Sequence, residues 1–477
     1  ARVALRVLAT CSLVVERGDG SWAFASPLVQ DALYRAIQAD ERGRIHRHAL
    51  DYWGGRDGAR AMAAVARHAG LAGVHDRAAG AALALAESAA RAHREVEAER
   101  WYSAALLHVG DQATRVRALV GRGRARWRLD RGPEALSDLA AARVLAEQLD
   151  DPARVASILL DEAMVLDWFF DFAASADRVA RARPLVEAGG DAALRARLLV
   201  ATGRTSWRQE RVSEALDLFA ESAARPLDGE TRLIALLLSA CALCCVGRLD
   251  EADAAFIDAG RLADAMDDRL HRCVLHVNRF FLWAARDDSE RGADDLRRAA
   301  QLARELGHPG LERAATHNLA ELLHLSRHDA EALPLAIRSF ELQQRYMPDA
   351  GPEDALLLGR IAIGMGDRET AARHLAWVEA HAGGDDPSPT FPVFHRALTL
   401  VQRGGTAEAW DAVVGDAAAA GMHPLENLEI LYLRAACEID AGRVEAARGA
   451  FAAARAYLDL FPAWNAQFEG LAARISG

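Results

Sequence analysis

The sequence predicts an all-α fold, a right-handed α-solenoid superhelix of about ten helix pairs with a small mixed segment at its N-terminal end. Three observations carry that expectation. A triplet of small, large apolar and small residues recurs with its members four and then three positions apart, which puts all three on one helix face. The triplets are Ala98/Tyr102/Ala105, Ala135/Leu139/Ala142, Ser175/Val179/Ala182, Ala215/Phe219/Ser222 and Ala252/Phe256/Ala259, then Gly292/Leu296/Ala299, Ala332/Ala336/Ser339, Ala371/Leu375/Val378, Ala409/Val413/Asp416 and Ala447/Phe451/Ala454. Their first members stand 37 to 40 residues apart, the period of a helical repeat array. Second, a small residue precedes the first member by twelve positions at Gly123, Ala163, Gly203, Ala240, Ala320, Gly359, Ala397 and Ala435, with Phe280 alone breaking the series. Small residues there let one helix lie close against the next. Third, alanine, leucine, arginine and glutamate dominate, as in helical proteins.

Residues 1–58 differ from the rest. Leu13 to Glu16 reads as a short strand, Arg17 to Gly20 as a turn and Trp22 to Phe24 as the returning strand. Ser26-Pro27 then opens a helix, serine as cap and proline in the first turn. Its apolar face is Leu28, Val29, Ala32, Leu33 and Ile37. A further helix carries Arg44, His46 and Ala49. Helix, hairpin and more helices together suggest a winged-helix remnant.

Residues 59–110 read as connecting helices and the first pair: Ala61 to Gly70, Asp76 to His93 and Glu95 to His108. The repeat array is expected over 111–461. Turn signals at Asp150-Asp151-Pro152, Gly189-Gly190-Asp191, Arg225 to Gly229, Gly307-His308-Pro309 and Pro348 to Pro352 separate its units. The tightest turns within units are Arg131-Gly132-Pro133 and Gly366-Asp367-Arg368. Gly383 to Pro389 is the most loop-like stretch and the expected break in curvature. Residues 462–477 form a single capping helix, Pro462 to Ile475.

Two resemblances follow from these residues. The segment FASPLVQDALYRAIQADERGRIHRHAL resembles the pattern F-x-H-P-L-V-x-x-A-x-Y…R-x-x-x-H of signal-transduction ATPases with numerous domains, among them the large ATP-binding LuxR-type and maltose-regulator-like groups. Phe24, Pro27, Leu28, Val29, Ala32, Tyr34, Arg44 and His46 match, and Ser26 stands where the family usually has histidine. The resemblance implies a winged-helix end followed by a repeat sensor, with a nucleotide-binding core upstream, in a bacterial transcription regulator; the alternative is a protein-interaction scaffold fused to a kinase, cyclase or other signalling ATPase. The repeats resemble tetratricopeptide repeats in the spacing of the triplet and of its preceding small residue, but their period is longer than the usual 34 residues.

Composition excludes much else. All 57 basic residues are arginine, so a phosphate loop ending in GK[ST], a kinase lysine and a Schiff-base lysine are absent. Net charge is −11, a poor basis for direct nucleic-acid binding. No apolar run approaches about 18 residues, so no membrane span is expected. The six cysteines form no paired framework, which suits a reducing cytoplasm. The chain opens at Ala1 inside a helical pattern, and the expectation is a fragment of a larger protein. No GxSxG, phosphate loop or catalytic constellation is present, so the expectation is a non-catalytic domain without cofactor or metal.

In tetratricopeptide-like arrays the first helix of each pair lines the concave side. Counting back 18, 11 and 7 positions from the triplets puts Arg117, Arg124 and Arg128 inward in one repeat, Met164 and Trp168 in the next, and Arg197, Arg204 and Arg208 in the one after. Trp127 and Trp207 flank the last arginine of their repeats. Guanidinium groups hold carboxylates and phosphates in bidentate fashion and stack on indoles. This cluster predicts a small-molecule inducer, anionic or sugar-like, or an acidic peptide or protein partner, with a homo-oligomer possible in the full-length protein. The alternative is that these arginines pair with the chain's own carboxylates, such as Glu162 and Glu210. Further along, the inward positions become Cys241, Cys245, Phe281, His317, Glu321 and His324. Cys241 and Cys245 lie one turn apart but find no second pair at ligand spacing, so buried apolar cysteine is the expectation. His324 and His328, without a carboxylate motif, are expected on the surface.

Overall fold

The structure, a computed structural model, describes residues 2–18, 21–348, 350–381 and 390–476. Among the described residues are 25 α-helices, one 3-10 turn and one two-stranded hairpin. Asp19 and Gly20 of the Arg17 to Gly20 turn, Asp349, and the Gly383 to Pro389 stretch lie outside the described residues.

Helix α1 (Arg2–Thr10) leads into the antiparallel strands β1 (Val14–Glu16) and β2 (Trp22–Phe24), with Val14 opposite Phe24 and Glu16 opposite Trp22. The Ser26 hydroxyl caps α2 (Pro27–Ala36) by accepting the Leu28 N–H at 3.1 Å. Two further helices, α3 (Ala39–Gly54) and α4 (Ala59–Leu71), complete this part, their contact made by Leu50 and Ala69.

Ten helix pairs follow in chain order. They are α5 (His75–Arg91) with α6 (Glu95–Leu106), α7 (Gln112–Arg128) with α8 (Gly132–Gln148), α9 (Pro152–Trp168) with α10 (Phe172–Gly189), α11 (Ala192–Arg208) with α12 (Val212–Ala223), and α13 (Gly229–Cys245) with α14 (Leu249–Met266). Then come α15 (Arg269–Ala285) with α16 (Ser289–Leu306), α17 (Pro309–Leu325) with α18 (Asp329–Tyr346), α19 (Glu353–Gly364) with α20 (Arg368–His381), α21 (Phe391–Arg403) with α22 (Ala407–Ala419), and α23 (Pro424–Asp440) with α24 (Val444–Leu458). The expected single last helix is instead a 3-10 turn, Pro462–Trp464, and then α25 (Asn465–Ser476). The tighter turn seats Trp464, wholly buried, among Leu428, Leu431, Ala454 and Phe468.

The helix contact that the small residues imply is visible directly. A Cβ built on Gly203 would lie 2.6 Å from the Phe219 ring, and one on Gly123 3.0 Å from Leu139. Ser175 Oγ donates to the Ala163 carbonyl at 2.8 Å across the same contact. Phe280 breaks the series because its partner shrinks: the triplet that follows opens with Gly292, where a Cβ would sit 3.4 Å from the Phe280 ring. Glycine in place of the usual alanine or serine makes room for the ring, while the central Leu296 stays large.

Two more positions repeat, one marked by the backbone and one by a capping side chain. Five residues before every triplet the backbone is left-handed, at His93, Asp130, Phe170, Glu210, Gly247, Asp287, Arg327, Gly366, Gly404 and Gly442. That residue turns the chain from the first helix of a pair into the second. Twenty-four residues before a triplet, a side chain caps the first helix. Asp111, Asp151, Asp191, Asp228 and Asp268 each accept a backbone N–H three residues on. His308 does so through Nδ1, and His423 Nδ1 accepts the Leu425 N–H, two residues on.

Two compact units partition the chain, 1–201 and 202–477, with the division inside α11. The main core of the first is built from Val116, Trp127, Leu139, Ile158, Leu159 and Val179 and their neighbours. Within the second, α17 touches α23, and Trp464 Nε1 donates to the Leu325 carbonyl at 2.9 Å, 139 residues away in sequence. Among the described residues no helix is long and apolar enough to cross a membrane.

Candidate functional site

The first helices supply the faces where the sequence placed a ligand. In the first unit the centre is Asp161 on α9, a residue not singled out by the inward count. It is nearly buried, and it receives Arg124 from α7 and Arg197 from α11. Arg124 reaches it with Nε at 3.1 Å and Nη2 at 3.0 Å, and Arg197 with Nη2 at 2.8 Å. Arg197 also donates to Ser157 Oγ at 2.8 Å. The Arg124 side chain stays 47% exposed, so one edge of this carboxylate clamp faces solvent. Arg117 pairs with Glu87 at 2.6 Å, and buried Arg128 with Glu95 at 2.7 Å. Trp127 is buried and meets half-buried Trp168 edge-on at 5.5 Å. Met164 and Trp168 pack on the core of this unit.

The arginines do find carboxylates of the chain, though not the ones expected. Glu162 binds Arg143 of α8 and Arg178 of α10 instead, at 3.1 and 2.7 Å. One residue's step around α9 turns Asp161 toward first helices and Glu162 toward second helices. Glu210 sits at a left-handed turn position and so leaves the helical face of α11.

In the second unit Arg204 is buried, while Arg208 is exposed with its guanidinium 4.7 Å from the Trp207 ring. Phe281 is half exposed, its ring 5.8 Å from that of Phe280. Cys241 is buried as expected and burial pushes its thiol well up, whereas Cys245, expected to be buried, is exposed.

Further along the second unit, charged first-helix residues are joined into networks. His317 Nδ1 and Arg313 Nε each lie 2.6 Å from the Asp354 carboxylate, and Ser339 Oγ donates to it at 2.7 Å. Burial alone would raise the Asp354 carboxyl, but His317 and Arg313 hold it well below the usual range. Glu321 accepts Arg360 Nη1 at 2.5 Å, and Arg360 Nη2 reaches Glu429 at 2.7 Å. The Arg360 guanidinium lies 3.6 Å from the Phe394 ring centroid. His324 is 1% exposed, between Asp329 on Nδ1 and Glu429 on Nε2, which corrects the expectation of a surface histidine. Its neighbour His328 is exposed. The turn position of His324 suggested the surface, but α23 packs across that turn and buries it.

Arg360 and Glu429 were legible by the same count. They stand 11 positions before Ala371 and 18 before Ala447, inward offsets already applied to earlier repeats. Another cluster, Glu230, Asp268 and His271, has ligand atoms within 4.8 Å of one another. Asp268 caps α15 with one oxygen and meets His271 Nδ1 at 2.7 Å with the other, an arrangement that serves the helix start.

No family model matches the chain, and no curated protein matches it. Among solved structures, it is similar to a Rap protein complexed with competence and sporulation factor, with a TM-score of 0.55 and 12% identity over 75% of this chain and 99% of that one. The apo form of RapI gives a TM-score of 0.51 at 8% identity, covering 72% and 97%. A signal transduction ATPase with numerous domains and a tetratricopeptide repeat sensor, from Pyrococcus horikoshii, gives 0.46 at 12%, covering 79% of this chain and 58% of that one. With the helix pairs described above, the first two likenesses show the fold: the chain is an all-α, tetratricopeptide-like solenoid.

Proposed function

We propose that the chain is a ligand-sensing repeat domain of a multidomain ATP-dependent bacterial transcription regulator, and that the first-helix face of its N-terminal unit receives a carboxylate-bearing inducer or acidic peptide. In this reading residues 1–58 close a winged-helix part, 59–110 connect it, 111–461 form the cytoplasmic sensor and 462–477 cap it. The observation that carries the proposal is the Asp161 clamp: Arg124 and Arg197, on separate first helices, converge on one carboxylate while Arg124 keeps an exposed edge. A ligand carboxylate can exchange with Asp161 there, because a bidentate guanidinium site accepts either. Trp168 and Met164 offer an apolar surface beside it. A Rap protein of this fold is complexed with competence and sporulation factor, which supports a bound partner. The match of Phe24, Pro27, Tyr34 and His46 to signalling ATPases supports the regulator setting. Native mass spectrometry of the chain purified from its own host tests the reading. A co-purifying anionic compound or peptide, lost in the Arg124→Ala, Arg197→Ala double variant, is the expected result. A species retained equally by that variant, or none at all, overturns it.

A further inference from the structure

A buried ionic network ties three helices of the second unit that are far apart in sequence. Arg360 on α19 sits between Glu321 on α17 and Glu429 on α23, and His324 at the end of α17 bonds the same Glu429. Asp329, at the start of α18, takes the other nitrogen of His324 and pairs with Arg327 at 3.2 Å. Arg327 in turn lies 4.8 Å from the Trp464 ring and 5.8 Å from that of Tyr432. Leu325, next to His324, accepts the Trp464 indole N–H. The network and the seat of the C-terminal helix are therefore one construction.

Glu426 stands one turn before Glu429 on α23. Its carboxylate accepts the His423 N–H at 2.8 Å, closing the capping box of that helix. The charged groups acting on it are Glu321 from α17, Arg360 from α19 and Glu429 from α23. His423 faces Asp287 at 3.7 Å, and burial holds this imidazole below its ordinary value. Counting the charges decides what the site accepts. Arg360, Arg327 and protonated His324 balance Glu321, Glu429 and Asp329. Among the described residues, the charged groups acting on Glu426 are thus two carboxylates, Glu321 and Glu429, against one guanidinium, Arg360, while His317 also acts on Glu321.

We propose that this cluster is a proton-dependent latch: with Glu426 and His324 protonated it holds α17, α19 and α23 together and keeps Trp464 seated, and loss of those protons releases the C-terminal helix. Burial and the charge of Glu321 push the Glu426 carboxyl up to about 7. Burial would lower His324, but Glu429 and Asp329 outweigh it and hold it above its ordinary value. Both groups bind protons more tightly in the folded chain. Both contributions are present in acid. That of Glu426 is lost as pH climbs from 4.5 toward about 7, and that of His324 as pH rises beyond 6.5. The two act in the same direction.

Hydrogen exchange of the full chain, read on peptides from α25 and corrected for the intrinsic pH dependence of exchange, tests the latch. In the wild type, α25 protection is expected to fall about tenfold or more between pH 6 and 8. Glu426→Gln, which keeps the cap acceptor and can never ionise, shows a smaller fall, the part that remains being that of His324. A flat wild-type profile overturns the proposal without any variant. So does a Glu426→Gln profile that falls as steeply as the wild type.

Discussion

Gly203 on α11 and Phe219 on α12 are in contact so close that a methyl group on Gly203 would lie 2.6 Å from the Phe219 ring. The two residues are the small member and the central apolar member of one repeat. Gly203→Ala is therefore expected to destabilise the chain by about 1–3 kcal/mol through overpacking. Phe219→Leu alone is also destabilising, by loss of buried volume, but in combination the two losses should be markedly less than additive. Urea unfolding of the two single variants and the double variant checks this. Strict additivity would mean that the ring moves aside without strain.

The same pair shows why so much of the fold was legible in the sequence. Close helix contact needs a small residue against a large one, and that requirement leaves a pattern of sizes. Even the exception at Phe280 obeyed it, through Gly292, once the two positions were seen in contact. The turn position five residues before each triplet left little pattern, because glycine fills it only at Gly247, Gly366, Gly404 and Gly442. Backbone handedness there is imposed by the flanking helices, whatever the residue. For the candidate arginines the carboxylate partners were not legible. The count placed Arg124 and Arg197 inward, yet Asp161 between them depends on how adjacent repeats are rotated. The meeting of Arg360 with Glu429, 69 residues away, is a sum of several such rotations.

Imposed handedness should be measurable at Glu210, an exposed residue held at φ 61°. A non-glycine residue in that region costs roughly 1–2 kcal/mol. Glycine removes the cost but enlarges the freedom of the unfolded chain. Glu210→Gly is expected to stabilise by about 0.5–1 kcal/mol, seen as a higher denaturation midpoint with an unchanged slope. A destabilised variant would show that Glu210 makes a contact worth more than the strain.

Asp295 on α16 anchors the α15–α16 pair. It accepts Arg279 Nε at 2.7 Å, His276 Nδ1 at 2.7 Å and Trp283 Nε1 at 2.6 Å, all from α15. Burial would raise its carboxyl, but these donors hold it well below the usual range. Its folded value is thus depressed, so its stabilisation is present above the ordinary value of 3.8 and is lost as pH falls toward the folded one. Asp295→Asn removes the charge and leaves part-buried Arg279 beside an amide. A loss of about 3–5 kcal/mol at neutral pH is expected, shrinking as the wild type is acidified below pH 4. Unfolding curves collected from pH 3 to 7 for both proteins check the sign.

Trp464 is the farthest-reaching contact of the second unit. Its ring is wholly buried against Leu428, Leu431, Ala454 and Phe468, and its indole N–H is bonded to Leu325 at the end of α17. Trp464→Phe keeps most of the apolar contact and deletes the donor, leaving the Leu325 carbonyl without its partner. The expected loss is about 1–3 kcal/mol. Trp464→Ala removes the ring as well and should lose about 3–5 kcal/mol. The two variants separate two roles. If the hydrogen bond aligns α25 on α17, Trp464→Phe speeds amide exchange in α25 and at the end of α17 together, because the contact has two sides. If only the ring matters, the phenylalanine variant exchanges like the wild type and the alanine variant alone loosens both ends.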